Sequence, residues 1–342
     1  MADQSKTHGA LDLVGDGWRR VSASPVLIVA VWLLTLAVTW PSAWALERTI
    51  ADDLGSSASG TTALHGVDAS WWLEFRQRHP EDGESFRPSV IGFAAVLRNL
   101  SGFMDNHGPS GTRVTLAVVY GAAWLFLWGG ILDRYARRRR VGAHAFFGTC
   151  GVFFFRFLRL ALIAAITYWF FFGIVHGVLF DRLYPWLTRD LDTERTAFLI
   201  RVMLYVIFAA PLAAIVLLFD LAKARAVVED RRSMLGAIIA AARLLRRHPI
   251  ACAVPFLLNL VLFLAVLLAY ALIAPGAGRG DTLSFGYMVL AGQVYIAARL
   301  AVRLAFGATA VAIVQDRLAH AGYTSTPLPV WPDSPAVEAV SS

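Results

Sequence analysis

A long and almost wholly apolar run, residues 285–315, carries two arginines, Arg299 and Arg303. A helix needs roughly 20 apolar residues to cross the hydrocarbon core of a bilayer, so this run is long enough to span one. The arginines lie one helical turn apart and Tyr295 lies one turn before them, so the three side chains share a helix face. A charge at bilayer depth costs about 3 kcal/mol or more. The rest of the chain, or a ligand, must therefore compensate these two charges.

The composition places the chain among membrane proteins. Of its 342 residues, 57% are hydrophobic and 16% are charged, whereas a soluble domain is about half apolar and a quarter charged. The apolar residues are gathered into long runs, which is typical of membrane-spanning helices. The net charge of +7 does not indicate nucleic-acid binding, because the basic residues cluster at the ends of apolar runs. Basic residues in those places orient spans and contact lipids.

Six apolar runs predict six transmembrane helices. The first run contains Ala43-Trp44-Ala45, which is also compatible with a signal-peptide cleavage site. The run is longer than a signal-peptide core and five more runs follow it, so we expect an uncleaved helix. The predicted spans are 25–46, 115–132, 152–179, 198–219, 250–273 and 285–315.

The distribution of basic residues predicts the orientation. The loops after the second and fourth spans are rich in arginine, as at 137–140, whereas the loop after the fifth span has Arg279 alone. Basic loops stay in the cytoplasm, so both termini are expected there and the long first loop outside. The Ala- and Arg-rich composition is typical of bacteria, so the expected location is the bacterial cytoplasmic (inner) membrane. The predicted domains are an N-terminal lead with an amphipathic elbow (1–24), the first span (25–46), an extracytoplasmic loop and cap (47–112), the bundle of the other five spans with its basic loops (113–319) and a cytoplasmic tail (320–342).

The long first loop predicts a small helical cap. Residues 68–79 read as a helix with Trp71, Trp72 and Phe75 on one face. Residues 85–105 are apolar-rich but too charged for a span, so we expect an interfacial or re-entrant helix there.

The sequences that flank the spans predict that the spans pair into three hairpins. The expected fold is therefore an all-α polytopic membrane fold with amphipathic cytoplasmic elbow helices. A basic amphipathic stretch precedes each odd span, at 15–20, 143–159 and 233–248. Each even span ends in an aspartate, which opposes the helix dipole and therefore predicts a partner, such as an arginine or the backbone amides of a neighbouring elbow. The alternative is that helix exits are often charged. The three aspartates are Asp133, Asp220 and Asp316.

Two segments carry a resemblance to known proteins. Gly130-Ile131-Leu132-Asp133-Arg134-Tyr135 and Phe153-Phe154-Phe155-Arg156-Phe157-Leu158-Arg159-Leu160 resemble the arginine-rich elbows of uncharacterised bacterial polytopic membrane families. These families are similar to the membrane region attached to some glycerophosphodiester phosphodiesterases. The resemblance implies a helical membrane fold over most of the chain. The hydrolase part of those proteins is a separate soluble barrel with metal-binding His and Glu residues, for which this chain has no room, so that activity is not implied.

Arg299, Arg303 and Tyr295 are the candidate ligand-binding residues. Arginine suits phosphate because its guanidinium donates two parallel hydrogen bonds. One interpretation is therefore a cavity for an anionic group, such as a phospholipid head group, that opens toward the cytoplasm. The other interpretation is structural, with the arginines in internal ion pairs or reaching toward the inner interface. The candidate ion-pair partners are Asp220, Asp316 and Asp133.

Enzyme signatures are missing from the sequence. It contains no Gly-x-Ser-x-Gly elbow, no phosphate loop and no pair of carboxylates within a span. We therefore expect no catalytic residue, metal or cofactor. The leading hypothesis is a non-enzymatic membrane protein that binds a lipid or another anionic amphiphile, or helps to move it. The alternatives are a scaffold or accessory subunit of a membrane complex and, last, an intramembrane enzyme. The expected partners are membrane lipids and either another membrane protein or further copies of this chain in a homo-oligomer, but no nucleic acid.

Overall fold

The computed structural model describes residues 8–55, 69–80, 100–106, 112–138, 142–274 and 282–318. Every regular element within these ranges is helical, which confirms the all-α prediction for this part of the chain. Residues 100–104 form a further short helical segment. The principal helices are α1 (Ala10–Ser22), α2 (Pro25–Gly55), α3 (Ala69–Arg78), α4 (Thr112–Arg137), α5 (Ala143–Thr188), α6 (Glu194–Val228), α7 (Met234–Arg247), α8 (Pro249–Ile273) and α9 (Thr282–Arg317).

Six of these helices, α2, α4, α5, α6, α8 and α9, are long and apolar enough to cross a membrane. This confirms the number of candidate spans predicted from the sequence. α9 differs from the other five, because 61% of its most apolar window is buried inside the protein, against 6–28% for the others. The run that carries the two arginines is therefore the most enclosed span.

The spans are arranged in two layers. α4, α6 and α9 contact one another and form the centre of the bundle. The other three lie outside this centre: α2 contacts α4 and α9, α5 contacts α4 and α6, and α8 contacts α9 and α6. Leu304, Ala305 and Ala308 of α9 are fully buried in the apolar core.

Three segments pack across one end of the bundle. We call this the basic end, and it consists of α1, the start of α5, α7 and the C-terminal turns of α4, α6 and α9. α1 packs against α9, α5 against α4, and α7 against α6. Glycines allow two of these contacts to be close. A Cβ atom on Gly17 of α1 would lie 2.4 Å from Thr309 Oγ1, and one on Gly130 of α4 would lie 2.6 Å from Cys150 Sγ.

Arg20 joins α1 to two spans. Its side chain is 5% exposed, and Nη1 donates to the Tyr135 carbonyl and to Gln315 Oε1, both at 2.9 Å. Its Nε and Nη2 donate to Asp16 Oδ2 at 3.0 and 2.6 Å. Gln315 Nε2 donates in turn to the Ala136 carbonyl at 2.9 Å. One hydrogen-bond network therefore connects α1, α4 and α9.

Asp16 determines how this network responds to acid. Burial works to raise the pKa of the Asp16 carboxyl, but the charge and hydrogen bonds of Arg20 and the charges of Arg138 and Arg19 more than offset it, so the pKa lies below its ordinary value of 3.8. A carboxyl whose pKa is lower in the folded state stabilises that state above its unfolded pKa, and the contribution is lost as the pH falls through the folded pKa. We expect hydrogen–deuterium exchange of residues 10–22, corrected for intrinsic rates, to stay constant from neutral pH to about pH 5 and to accelerate below about pH 4. An identical acid transition in Asp16→Asn would contradict this assignment.

α2 extends beyond its predicted span. The apolar run ends at residue 46, whereas the helix continues to Gly55. Asp53, in its last turn, accepts a hydrogen bond from Trp71 Nε1 at 2.9 Å and pairs with Arg78 at 3.0 Å. Since Trp71 and Arg78 belong to α3, this helix holds the polar extension of α2 in place.

α5 is also longer than predicted. The sequence predicts a span over 152–179, whereas one continuous helix of 46 residues runs from Ala143 to Thr188. Its later part widens into π-helical turns at Phe170–Val175 and Gly177–Leu183. π-helical turns are rare within α-helices and often occur at functional sites.

Residues 100–106 lie against this widened part of α5. His176 Nε2 is 3.0 Å from the Met104 carbonyl, and Asn106 Nδ2 donates to the Phe172 carbonyl at 3.1 Å. Asp105 pairs with Arg201 of α6 at 2.8 Å. Most of the helix predicted over 85–105 lies outside the described residues. The segment that is described links α5 to α6 at the end of the bundle opposite the basic end.

Candidate functional site

One face of α9 is positively charged near the middle of the helix and becomes apolar toward its C-terminal end. Arg299, Arg303, Phe306, Ala310 and Ile313 follow one another at intervals of three and four residues, so they form a single stripe. The three apolar members line a cavity of about 10 Å³ together with side chains of α6 and α8. The apolar part of this stripe therefore faces the junction of α6 and α8, and the two arginines lie on the same side of α9 farther from the basic end.

Arg303 stacks on an indole ring. Its Cζ lies 4.1 Å from the ring centroid of Trp124 in α4. Trp124 is 2% exposed, and its Nε1 has no hydrogen-bond partner among the described residues. A desolvated cation–π contact is worth about 2 kcal/mol. This contact offsets part of the cost of placing the Arg303 charge in the membrane, but it does not stabilise the charge of Arg299.

Neither arginine has an acidic partner in the part of the chain that the structure describes. No carboxylate oxygen there lies within 4.0 Å of either guanidinium. Both side chains are exposed at the protein surface, although their helix is the most enclosed span. Arg299 and Arg303 lie one helical turn apart on α9, so their positive charges repel each other. The site is thus a pair of adjacent positive charges with hydrogen-bond donors to offer.

The three aspartates predicted as ion-pair partners contact other basic residues. Asp220 lies eight residues before the end of its helix at Val228, whereas Asp133 and Asp316 lie in the last turn of theirs, so the three differ in position relative to their helix ends. Their closest basic contacts are Asp133 with Arg137 at 2.6 Å, Asp220 with Lys223 at 2.6 Å, and Asp316 with His8 at 2.7 Å and Arg317 at 3.0 Å.

Tyr295 contacts a different neighbour from Arg303. Its ring stacks on Tyr270 of α8, with centroids 4.1 Å apart and planes at 17°. Eight residues separate Tyr295 from Arg303, which rotates the two side chains by about 80° around the helix axis. Tyr295 therefore lies against α8 and Arg303 lies against α4. The Arg299 side chain leaves the helix axis in a direction between those of the other two.

A buried amide lies beside the apolar part of the stripe. Asn259 of α8 is 1% exposed, and its Nδ2 donates to Thr309 Oγ1 at 3.0 Å. Its Oδ1 has no partner among the described residues. The adjoining cavity of about 10 Å³ is close to the minimum for one water molecule, which would satisfy this oxygen. Asn259 thus acts as a polar link between α8 and α9, as single polar groups in membrane helices often do.

The two tryptophans beside the site were not predicted from the sequence. Trp124 and Trp128 lie one turn apart in α4, so they share a face. Each contacts a cation, since Lys223 Nζ of α6 lies 5.0 Å from the Trp128 ring centroid. The spacing of the two tryptophans was the available signal, but it does not reveal which span carries the cations.

Neither a metal centre nor a known relative accounts for this site. The described residues contain no group of three or more His, Cys, Asp or Glu side chains that could hold a metal ion. No protein-family model, curated protein or solved structure matches the chain. The resemblance to the membrane region of glycerophosphodiester phosphodiesterases therefore stays a prediction from the sequence pattern.

Proposed function

We propose that this protein is a non-enzymatic integral membrane protein that binds an anionic amphiphile, such as a phospholipid, with Arg299 and Arg303 at the head group. The observation that carries the proposal is the pair of exposed guanidinium groups on α9, without a carboxylate within 4.0 Å in the described part of the chain. Each guanidinium donates two parallel hydrogen bonds to a phosphate. Two arginines one turn apart supply the donors that one such group requires.

The position of the arginines along α9 supports a ligand with both charge and hydrocarbon. α1 is amphipathic and contacts α9 at Thr309. With α1 at the membrane surface, Thr309 lies at that level. A helical rise of 1.5 Å per residue then places Arg303 about 9 Å and Arg299 about 15 Å deeper than Thr309. The hydrocarbon core is about 30 Å thick, so Arg299 lies close to its middle. An amphiphile compensates the charges with its head group and fills the surrounding apolar space with its chains.

We also propose the orientation and the role of the short segments. The basic end faces the cytoplasm of a bacterial cell, because cytoplasmic loops carry the excess of Lys and Arg. α1, the start of α5 and α7 act as interfacial elbows of three successive hairpins, and α3 with residues 100–106 forms the outer cap. The support is that each of these basic-end segments packs against an inner span, namely α9, α4 and α6.

Trp124 provides a local test, because it contacts Arg303. The fluorescence of Trp124 in vesicles is the difference between the emission of the wild type and that of Trp124→Phe, because the other tryptophans are present in both. Phosphatidylglycerol and phosphatidylcholine both have a phosphate, but only phosphatidylglycerol has a net negative charge to compensate the two guanidinium groups. We therefore expect brominated phosphatidylglycerol to quench the Trp124 fluorescence at a concentration about tenfold or more below that of brominated phosphatidylcholine, a difference of about 1.4 kcal/mol. The double variant Arg299→Gln/Arg303→Gln should lose this preference.

The matched control removes two charges elsewhere. Arg159 and Arg246 are exposed and lie on α5 and α7, so Arg159→Gln/Arg246→Gln should keep the wild-type preference. If the glutamine variant at Arg299 and Arg303 unfolds, the lysine variant keeps both charges, and its preference should be intermediate, because lysine lacks the paired donors. Equal quenching by the two lipids in the wild type would reject the proposal and favour the scaffold alternative.

A further inference from the structure

A second basic cavity lies at the basic end, between the C-terminal turns of α6, the helix α7 and the end of α9. Its volume is about 500 Å³, which is within the range of about 300–1,000 Å³ found for small-molecule sites. The lining is basic, and none of the described residues that form it is acidic. The basic lining residues are Arg225, Arg231, Arg243, Arg247, His248 and Arg317.

One wall of the cavity is a fixed ion-pair cluster. Glu229 accepts hydrogen bonds from Arg225 Nε and Nη2 at 3.0 and 2.7 Å, and it also pairs with Arg231. Arg225 Nη1 donates to the Ala240 carbonyl at 2.6 Å. The side chains of Arg225 and Glu229 are only 8% and 6% exposed. This wall is therefore held in place by the protein before any ligand arrives.

The opposite wall supplies cations without a counter-charge. Arg243 and Arg247 lie one turn apart on α7, are exposed, and make no ion pair with any residue the structure describes. Arg317 of α9 pairs with Asp316 at 3.0 Å. In the described part of the chain, the lining has five arginines, of which three contact a carboxylate: Arg225 and Arg231 contact Glu229, and Arg317 contacts Asp316. The five positive charges exceed the two negative charges by three around one half-open cavity.

We infer that this cavity binds a phosphate group with more than one negative charge. The excess of three charges suits such a group, and the cationic lining contains arginine but no lysine, which favours paired hydrogen bonds to phosphate oxygens. The group belongs either to an anionic lipid with a terminal phosphate or to a soluble phosphate compound, since basic pockets at membrane surfaces bind lipid head groups. This site is separate from Arg299 and Arg303 and does not depend on the function proposed for them.

Two probes distinguish the two sources. The full chain in phosphatidylcholine nanodiscs is titrated with pyrophosphate by calorimetry, and retention of phosphatidate is counted by native mass spectrometry. We expect the wild type to bind at least one probe, and Arg243→Gln/Arg247→Gln to weaken that binding about tenfold or more. The probe that binds identifies the source of the phosphate.

Two control variants locate the binding. Arg246 is exposed on the same helix but does not line the cavity, so Arg246→Gln should bind like the wild type. Arg299→Gln/Arg303→Gln should also bind like the wild type, which separates this test from that of the proposed function. If Arg243→Gln/Arg247→Gln unfolds, the lysine variant replaces it and should bind more weakly than wild type. Binding of neither probe by the wild type, unchanged binding by the variant, or an equal loss in Arg246→Gln would each overturn the inference.

Discussion

Replacement of Arg20 by methionine is expected to destabilise the protein by about 3–5 kcal/mol, because one partner is removed from a buried charged network. Asp16 would lose hydrogen bonds of 3.0 and 2.6 Å, and the Tyr135 carbonyl and Gln315 Oε1 would each lose a donor at 2.9 Å. A buried acceptor without a donor costs about 1–3 kcal/mol. Thermal unfolding in detergent micelles, followed by circular dichroism, measures the loss.

The neighbouring residue provides the matched control. The Arg19 side chain is 77% exposed and lies 3.8 Å from Asp16. A surface pair of this kind contributes about 0–1 kcal/mol, so Arg19→Met should unfold close to the wild-type temperature. In Arg20→Met the Asp16 carboxylate keeps its 2.7 Å contacts with Arg138, so adding Asp16→Asn should not recover the loss. An equal effect of the two methionine substitutions would mean that the network does not hold α1.

Replacement of Gly17 by alanine is expected to destabilise the protein by about 2–3 kcal/mol, the cost of forcing an atom into a filled space. The new Cβ would lie 2.4 Å from Thr309 Oγ1, 3.0 Å from its backbone nitrogen and 3.1 Å from its Cα. The hydroxyl can rotate away, but the backbone of α9 cannot. α1 would therefore have to move away from α9, and the unfolding temperature of the protein in micelles should fall.

Gly15, on the same helix, is the matched control, because its replacement by alanine should not destabilise the protein. A Cβ atom there meets nothing within 4 Å, and alanine is a better helix former than glycine by about 1 kcal/mol. Gly15→Ala should therefore leave the free energy of unfolding unchanged or raise it. Adding Thr309→Ala to Gly17→Ala should restore only part of the loss, because the backbone contact remains. A destabilisation of equal size in both glycine variants would rule out a steric cause.

The sequence predicted the features that depend on nearby residues. A run of about 20 apolar residues is a local signal, so the six spans were found. The common face of Arg299 and Arg303 follows from helical spacing alone. Apolar composition, however, marks only the part of a helix in hydrocarbon. It did not predict the end of α2, where Asp53 is held by residues of α3.

The remaining features depend on how distant helices pack. Arg20 contacts Tyr135 and Gln315, which lie 115 and 295 positions away in the sequence. Arg303 and Trp124 belong to different spans, and their contact depends on the rotation of α4 and α9 about their axes. The basic cavity likewise requires α7 to lie across the end of α6 beside α9. Charge patterning marked these segments as basic but did not indicate which of their charges meet.

The contact of α1 with the end of α9 has a consequence for biosynthesis. His8 and Asp316 form a hydrogen bond across 308 sequence positions. At about 5–20 residues per second, a ribosome needs about 15–60 s to make the chain between them. Throughout that interval Leu13 and Val21, which the finished protein buries, lack their final partner. α1 must then wait at the lipid surface or on a chaperone, and a nascent chain that stalls before α9 keeps the apolar face of α1 available to the quality-control proteases of the cell.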